Sequence, residues 1–430
     1  MERKAANTAS IPATKAEVQR KASVCRFCGA ELRNLVLDLG MSPLANSNIS
    51  AEQLSQAERF FPLRVFLCEE CFLMQLEEFE TPENIFTEYA YFSGFSESWL
   101  QHARDYTDMA VQRFGLNKNS QVIEVASNDG YLLQYFVEKG IPVLGIEPAA
   151  NIAEVARKKN VPTQVNFFGE QTARQMASEG MSADLIIGNN VLAHVPRLND
   201  FVRGLKIVLK PDGIVTLEFP HLLQLMQGNQ FDTIYHEHFS YFSLTAALKL
   251  FSRHQLAIFD VDELPTHGGS LRIYVRHSGD GSGTVESRVM ELKQREIAGG
   301  LDRASGYQEF SERVRETKRK LLEFLITVKR AGKSVVGYGA PAKGNTLLNY
   351  CGVRGDFIDY TVDRSPYKQG LFLPGTHIPV LAPEKILETR PDYLLLLPWN
   401  LKHEIMKQMA SIREWGGQFI IPVPEVTVLP

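Results

Sequence analysis

Residues 235–238 read Tyr235, His236, Glu237 and His238, inside the run Phe231-Asp-Thr-Ile-Tyr-His-Glu-His-Phe-Ser240. Each of these four adjacent side chains can donate, accept or hold a proton. If the run is extended, Tyr235 and Glu237 share one face and His236 and His238 the other. A phenol, a carboxylate and an imidazole within reach of one pocket are general acid–base equipment. The spacing does not fit the helical zinc motif His-Glu-x-x-His, whose two histidines stand four apart.

A second set of reactive residues lies near the N-terminus. Four of the five cysteines form two pairs, Cys25 with Cys28 and Cys68 with Cys71. Two Cys-x-x-Cys knuckles fit tetrahedral thiolate ligation of zinc. Four thiolates fill the coordination shell, so the expected Zn2+ is structural. Cys351 stands alone and reads as a small buried apolar residue.

The elements that must position these groups alternate. Strands are expected over 121–125, 141–147, 184–190 and 213–219, with helices over 96–114, 131–139 and 149–159. That alternation predicts a parallel, doubly wound sheet. Segments 255–261 and 270–277 lack a long helix between them and read as a terminal antiparallel hairpin. An aromatic stretch covers 89–95. Residues 285–333 read as a charged helical connector, broken at Gly299-Gly300. A second α/β unit has strands expected over 333–340, 359–363, 392–397 and 418–422. The domain reading is a disordered tail over 1–22, a zinc-binding domain over 23–80, a doubly wound α/β domain over 81–284, and a connector with a Rossmann-like domain over 285–430.

Ligands of open α/β sheets bind beyond the carboxyl ends of the strands. The first such end carries Glu124, Ser127, Asn128, Asp129 and Gly130, the second Glu147 and Pro148, and the third Asn189 and Asn190. An acidic residue about 20 positions after the first turn suits the hydroxyls of a ribose, in a dinucleotide or in S-adenosylmethionine. The turn lacks G-x-G-x-x-G and is acidic. It repels phosphates and suits a sulfonium and an amino group, which favours S-adenosylmethionine.

The order of these motifs, together with Thr266-His-Gly-Gly-Ser-Leu-Arg272 and Gly337-Tyr-Gly-Ala-Pro-Ala-Lys-Gly-Asn345, resembles the sugar C-methyltransferases of deoxysugar and antibiotic biosynthesis. The resemblance spans about residues 22–430. It implies a Rossmann-like class I methyltransferase core between a zinc-binding module and a C-terminal Rossmann-like α/β domain. It also implies methylation of a nucleotide-linked, dTDP-type 4-keto-deoxysugar on the carbon beside the ketone, with His238 as base and Tyr235 and Glu237 in support. Ala126 and Asn128 stand where methyltransferase turns often have glycine, a variant usual in this group. For His236, packing and chemistry remain equal readings.

The substrate's nucleotide needs cations and amides. Tyr338, Lys343 and Asn345 follow a strand and open a helix, with Lys343 as the point charge for phosphate. His267, Ser270 and Arg272 are candidates for diphosphate or sugar, and His221 for the site wall. The rival readings are a nicotinamide-dependent sugar-nucleotide oxidoreductase, which would need an intact glycine fingerprint, and a non-enzymatic zinc-ribbon adaptor.

Composition narrows the class further. With 46 basic and 50 acidic residues among 430, the net charge is −4, and no basic cluster points to nucleic acid. No run of about 18 apolar residues predicts a membrane span. The first 21 residues lack a secretory apolar core, so a cytoplasmic location is the default expectation. Partners are expected to be limited to the nucleotide-sugar substrate, with the chain a monomer or weak oligomer.

Overall fold

A computed structural model describes residues 23–87, 93–279 and 284–430. The expected tail, and most of the aromatic stretch over 89–95, lie outside the described residues. In chain order the strands are β1 (Asn34–Ser42), β2 (Phe61–Leu67), β3 (Met74–Leu76), β4 (Val122–Val125), β5 (Val143–Ile146), β6 (Thr163–Gln164), β7 (Ala183–Asn189), β8 (Leu209–Pro220), β9 (Ser240–Tyr241), β10 (Leu256–Leu264), β11 (Ser270–His277), β12 (Val335–Tyr338), β13 (Thr361–Val362), β14 (Val380–Leu381), β15 (Tyr393–Leu396), β16 (Gln418–Ile421) and β17 (Thr427–Leu429).

They form three sheets. The central order is β10-β11-β8-β7-β4-β5-β6. Strands β4 to β8 pair in parallel, and β11 runs antiparallel to both β8 and β10. The expected terminal hairpin is therefore β10–β11. From β4 the chain winds to β5 and β6 on one side and to β7 and β8 on the other, so a switch-point crevice opens beyond β4 and β7. Every residue of β4 is buried, including Glu124. A strand covered on both faces reads as a continuous apolar run, and the one acid in it stands out as functional or costly.

The C-terminal sheet has the order β14-β13-β12-β15-β16-β17, parallel through β16, with its own switch point between β12 and β15. The connector becomes two helices, Ser287–Ala298 and Phe310–Arg330, separated as the paired glycines suggested.

The small sheet, β1-β2-β3-β9, was not foreseen in full. Strand β9 follows directly on the Tyr235–His238 run and pairs antiparallel with β3, Gln75 opposite Ser240. The cysteine module is thus stitched to the Tyr235–His238 run. The C-terminal unit grips the same place from the other side. In helix Ala342–Cys351, Asn345 Nδ2 donates to the carbonyl of Ala45 at 2.6 Å, and Thr346 Oγ1 donates to the carbonyl of Ile234 at 3.0 Å. One apolar core runs through all of this, joining Leu63 and Val65 of the small sheet to Phe231, Ile234, Leu347 and Leu396. No helix among the described residues is long and apolar enough to cross a membrane.

Candidate active site

The Tyr235–His238 run is not extended. His238 N–H donates to the carbonyl of Tyr235 at 2.9 Å, closing a turn over four residues. A turn brings its first and last side chains together and sends the middle pair elsewhere. Tyr235 and His238 accordingly face one cavity, with ring centroids 4.1 Å apart, while His236 and Glu237 are buried. His236 Nε2 reaches the carbonyl of Pro62, away from the cavity wall. Glu237 is 2% exposed and accepts from Asn46 Nδ2 at 2.8 Å on each carboxylate oxygen. The faces an extended run would have given, Tyr235 with Glu237 and His236 with His238, therefore do not arise.

Hydrogen bonding sets the tautomers. His238 Nδ1 lies 2.9 Å from the carbonyl of Thr233, which can only accept, so Nδ1 carries the proton. Nε2 is then an acceptor, and the Tyr235 hydroxyl donates to it at 2.9 Å. A third imidazole, missed in the sequence, belongs to His194. Its Nδ1 donates to the carbonyl of Glu237 at 2.8 Å, and its ring stands 4.7 Å from that of His238. Burial, and then the neighbouring His194, hold His238 well below the ordinary histidine range; burial takes His194 down to about 4. Both rings are neutral near pH 7, and the Nε2 lone pair of His238 is engaged by the Tyr235 hydroxyl.

The cavity, about 440 Å³, lies between the two switch points. On the central-sheet side its wall includes Asn128, Glu147, Pro148, Asn189 and Asn190. Glu147 accepts from the backbone N–H of Asn128 and of Ala149, both at 3.0 Å. Burial nonetheless raises its carboxyl above the usual range. Glu124, Ser127, Asp129 and Gly130 lie behind this wall. Burial pushes the Glu124 carboxyl, beside Tyr131, well above its ordinary range, and Asp129 pairs with Lys159 at 2.9 Å. Gly130 adopts φ +73°, and a Cβ there would come 3.1 Å from Val161 Cγ2, so the turn requires glycine. Trp99, Tyr131, Asn166, Phe167 and Phe168 complete this end and escaped the sequence reading. The short strand β6, which delivers residues 166–168, carried no periodic signal.

At the other end stand Asn46, His267, Lys343, Lys368 and Asn400. His267 sits at φ 54° in a loop whose next residue, Gly268, would meet Trp399 and Gln230 at under 3 Å if it bore a Cβ. Burial, and then the Lys343 charge, lower His267 to about 4. Four expected substrate residues do not line the cavity. Ser270 Oγ donates to the carbonyl of Thr266 at 3.0 Å. Arg272 is buried against Glu218 at 2.7 Å, and Asn345 spends its amide on Ala45. Tyr338 donates to Gln408 Oε1 at 3.1 Å and lines a second cavity. Although burial opposes its charge, Glu218 is held at about 2 by His102 and Arg272; Thr266 Oγ1 also donates to it. The network braces Trp99 and the His267 loop from behind, since Trp99 packs on both His102 and His267. His221 likewise faces inward, 2.7 Å from Glu296 with both side chains buried.

The thiols fit a metal. The sulfurs of Cys25, Cys28, Cys68 and Cys71 all lie within 4.8 Å of one another, with Cys25 and Cys71 at 3.5 Å and Cys28 and Cys68 at 3.4 Å. Zn–S bonds of about 2.3 Å in a tetrahedron set sulfurs about 3.8 Å apart. Gln75 Nε2 donates to Cys25 Sγ at 3.2 Å, the outer-shell contact expected of a thiolate ligand.

Family models match in three consecutive blocks: a zinc binding domain over residues 25–86, a methyltransferase domain over 99–261, and a C-methyltransferase C-terminal domain over 265–424. The C-methyltransferase NovU of Streptomyces niveus is 36% identical over 413 residues, 96% of this chain and 98% of that protein. A ubiquinone biosynthesis O-methyltransferase of Bartonella tribocorum is 26% identical over 98 residues, 23% of this chain and 40% of its own length. A solved S-adenosylmethionine-dependent methyltransferase from Anabaena variabilis shares 16% identity, with TM-score 0.34, covering 47% of this chain and 100% of that one. With a zinc-binding, a methyltransferase and a C-methyltransferase C-terminal domain matched in turn along it, and a 36% identical C-methyltransferase covered over 98% of its length, the chain belongs to the S-adenosylmethionine-dependent C-methyltransferase family.

Proposed function

We propose that the protein methylates a nucleotide-linked 4-keto-deoxysugar at the carbon beside the ketone. The observation that carries this reading is a neutral His238, fixed as the Nδ1–H tautomer and paired with the Tyr235 phenol, on the wall of a cavity with cofactor loops at one end and Lys343 and Lys368 at the other.

S-adenosylmethionine, when bound along Asn128, Glu147 and Asn189, supplies an electrophilic methyl. The chain does the rest. A carbon acid beside a ketone needs a positioned base and a donor for the developing oxyanion. While the Tyr235 hydroxyl points at Nε2, the base is masked. When a ketone oxygen draws that hydroxyl away, one movement frees Nε2 to take the proton and places an O–H donor on the enolate. Burial keeps the imidazole neutral beforehand. His236 has no part in this, because it faces Pro62. Glu237 acts at one remove: its carboxylate holds Asn46, and its carbonyl orients His194. Lys343 and Lys368 suit the substrate's phosphates.

The oxidoreductase reading loses support at the C-terminal turn. There the Ala340 N–H donates to Asp363 at 2.7 Å, filling the turn from within. The test is incubation with S-adenosylmethionine and a panel of 4-keto-deoxysugar nucleotides, read by mass and carbon NMR. A new carbon-bound methyl supports the proposal; methylation on oxygen or nitrogen overturns it.

A further inference from the structure

Asp232 is fully buried one residue before Thr233, whose carbonyl fixes the His238 tautomer. Its Oδ2 accepts the indole N–H of Trp399 at 2.6 Å. Trp399 belongs to the C-terminal unit, and Lys343 Nζ stands 4.8 Å from the centre of its ring. Lys343 otherwise donates to the side-chain carbonyl of Asn400 at 2.9 Å, a neutral partner. The order is carboxylate, indole, ammonium. A carboxylate on the indole N–H makes the ring face more electron-rich, and that face is what attracts the cation. Asp232 also supplies the opposite charge that a partly desolvated ammonium lacks. Consistent with this, burial raises the Asp232 carboxyl to about 6 while Lys343 pulls it down, and the Asp232 charge opposes the fall that burial imposes on Lys343. Neither group has a role in the proton transfer described above.

We infer that Asp232 is a positioning residue for the phosphate-binding cation, holding Lys343 charged and in place through Trp399. The inference rests on the reading that Lys343 meets the substrate's diphosphate. It adds that the loop bearing the base also sets the affinity for the nucleotide end.

The test is calorimetric binding of dTDP to the full chain and to the variants Lys343→Ala, Asp232→Asn, Trp399→Phe and the Asp232→Asn/Lys343→Ala double variant. S-adenosylmethionine binding and Tm serve as checks on folding. Asparagine still accepts the indole N–H, so Asp232→Asn removes the charge and leaves the hydrogen bond. The expected result is about tenfold weaker dTDP binding for Asp232→Asn, and a double variant no weaker than Lys343→Ala, as for two residues acting through one interaction. Should Asp232→Asn not fold, Trp399→Phe breaks the same link from the other side and is expected to weaken dTDP binding likewise. If Lys343→Ala loses affinity while Asp232→Asn and Trp399→Phe bind like the parent, the inference is overturned and the phosphate reading stands. If Lys343→Ala binds like the parent, the phosphate reading itself fails.

Discussion

Asn46→Asp turns the best-defined contact beneath the active site into a repulsive one. Asn46 Nδ2 lies 2.8 Å from both oxygens of Glu237, which is 2% exposed. Replacing that donor by a carboxylate sets two negative charges about 3 Å apart. At an effective dielectric constant of about 20 the repulsion is about 5–6 kcal/mol. Protonating one partner at pH 7 costs less: from an unperturbed value near 4, about three units at 1.36 kcal/mol each, or about 4 kcal/mol. The pair will therefore hold one proton, and the loss of stability at pH 7 is capped at about 4 kcal/mol. At pH 5 the same step costs about 1.4 kcal/mol. The sign follows from linkage: the shared carboxyl has a folded pKa above its unfolded value, so the penalty is small at acid pH and grows as pH rises from about 4 towards 7. Denaturant unfolding across that range reads it directly, with methyl transfer measured in parallel. Adding Glu237→Gln to Asn46→Asp returns one donor and one acceptor to the contact, and should recover most of the stability lost at pH 7. A pH-independent penalty, or no recovery in the double variant, would refute the Asn46–Glu237 geometry.

Other outcomes follow from the same structure. His194 and His267, each lowered to about 4, and His238, also held well below the ordinary value by burial, are buried in neutral form, so their contribution to stability is complete above about pH 6.5 and is lost as pH falls from there towards 4. A stability curve flat across that window would contradict it. Tyr235→Phe should lower kcat by about 10²–10³ if the phenol meets the enolate oxygen; retained kcat would assign that role elsewhere. Chelation of zinc, or Cys71→Ser, should abolish methyl transfer while S-adenosylmethionine binding persists in calorimetry. The module meets the Tyr235–His238 run through the β3–β9 pair, and its cysteines also share an apolar core with Ile123, Val125 and Ile146 of the central sheet, so the two readouts separate an effect confined to the run from one passed to the sheet. Loss of both functions together would count against an effect confined to the run.

Much of this was legible in the sequence because it depends on local pattern. The buried runs of β4, β7, β8 and β12 announced two doubly wound sheets, and the paired cysteines announced a metal module. The candidate cofactor loops were read from where those strands end. The rest was set by long-range contacts that no local signal encodes. Tyr235–His238 was found as a run, but strand alternation does not give its faces, because one backbone hydrogen bond closes it into a turn. Strand β9 is two residues long and exists only through its pairing with β3. His194 sits alone among apolar neighbours in sequence, and the carbonyl of Glu237, 43 residues away, holds it at the site. Arg272 and Asn345 were read as ligand contacts because cations and amides near glycine turns look alike in sequence whether they face a ligand or another domain. Here they bind Glu218 and Ala45.

The central claim is that His238 Nε2 takes a proton from the carbon that is methylated. The most direct measurement is solvent-deuterium exchange at the acceptor carbon, followed by NMR in D2O with S-adenosylhomocysteine in place of the methyl donor. The parent protein should exchange that proton, and His238→Asn should exchange none while still binding cofactor and nucleotide. Full exchange in His238→Asn would remove His238 from the role of base.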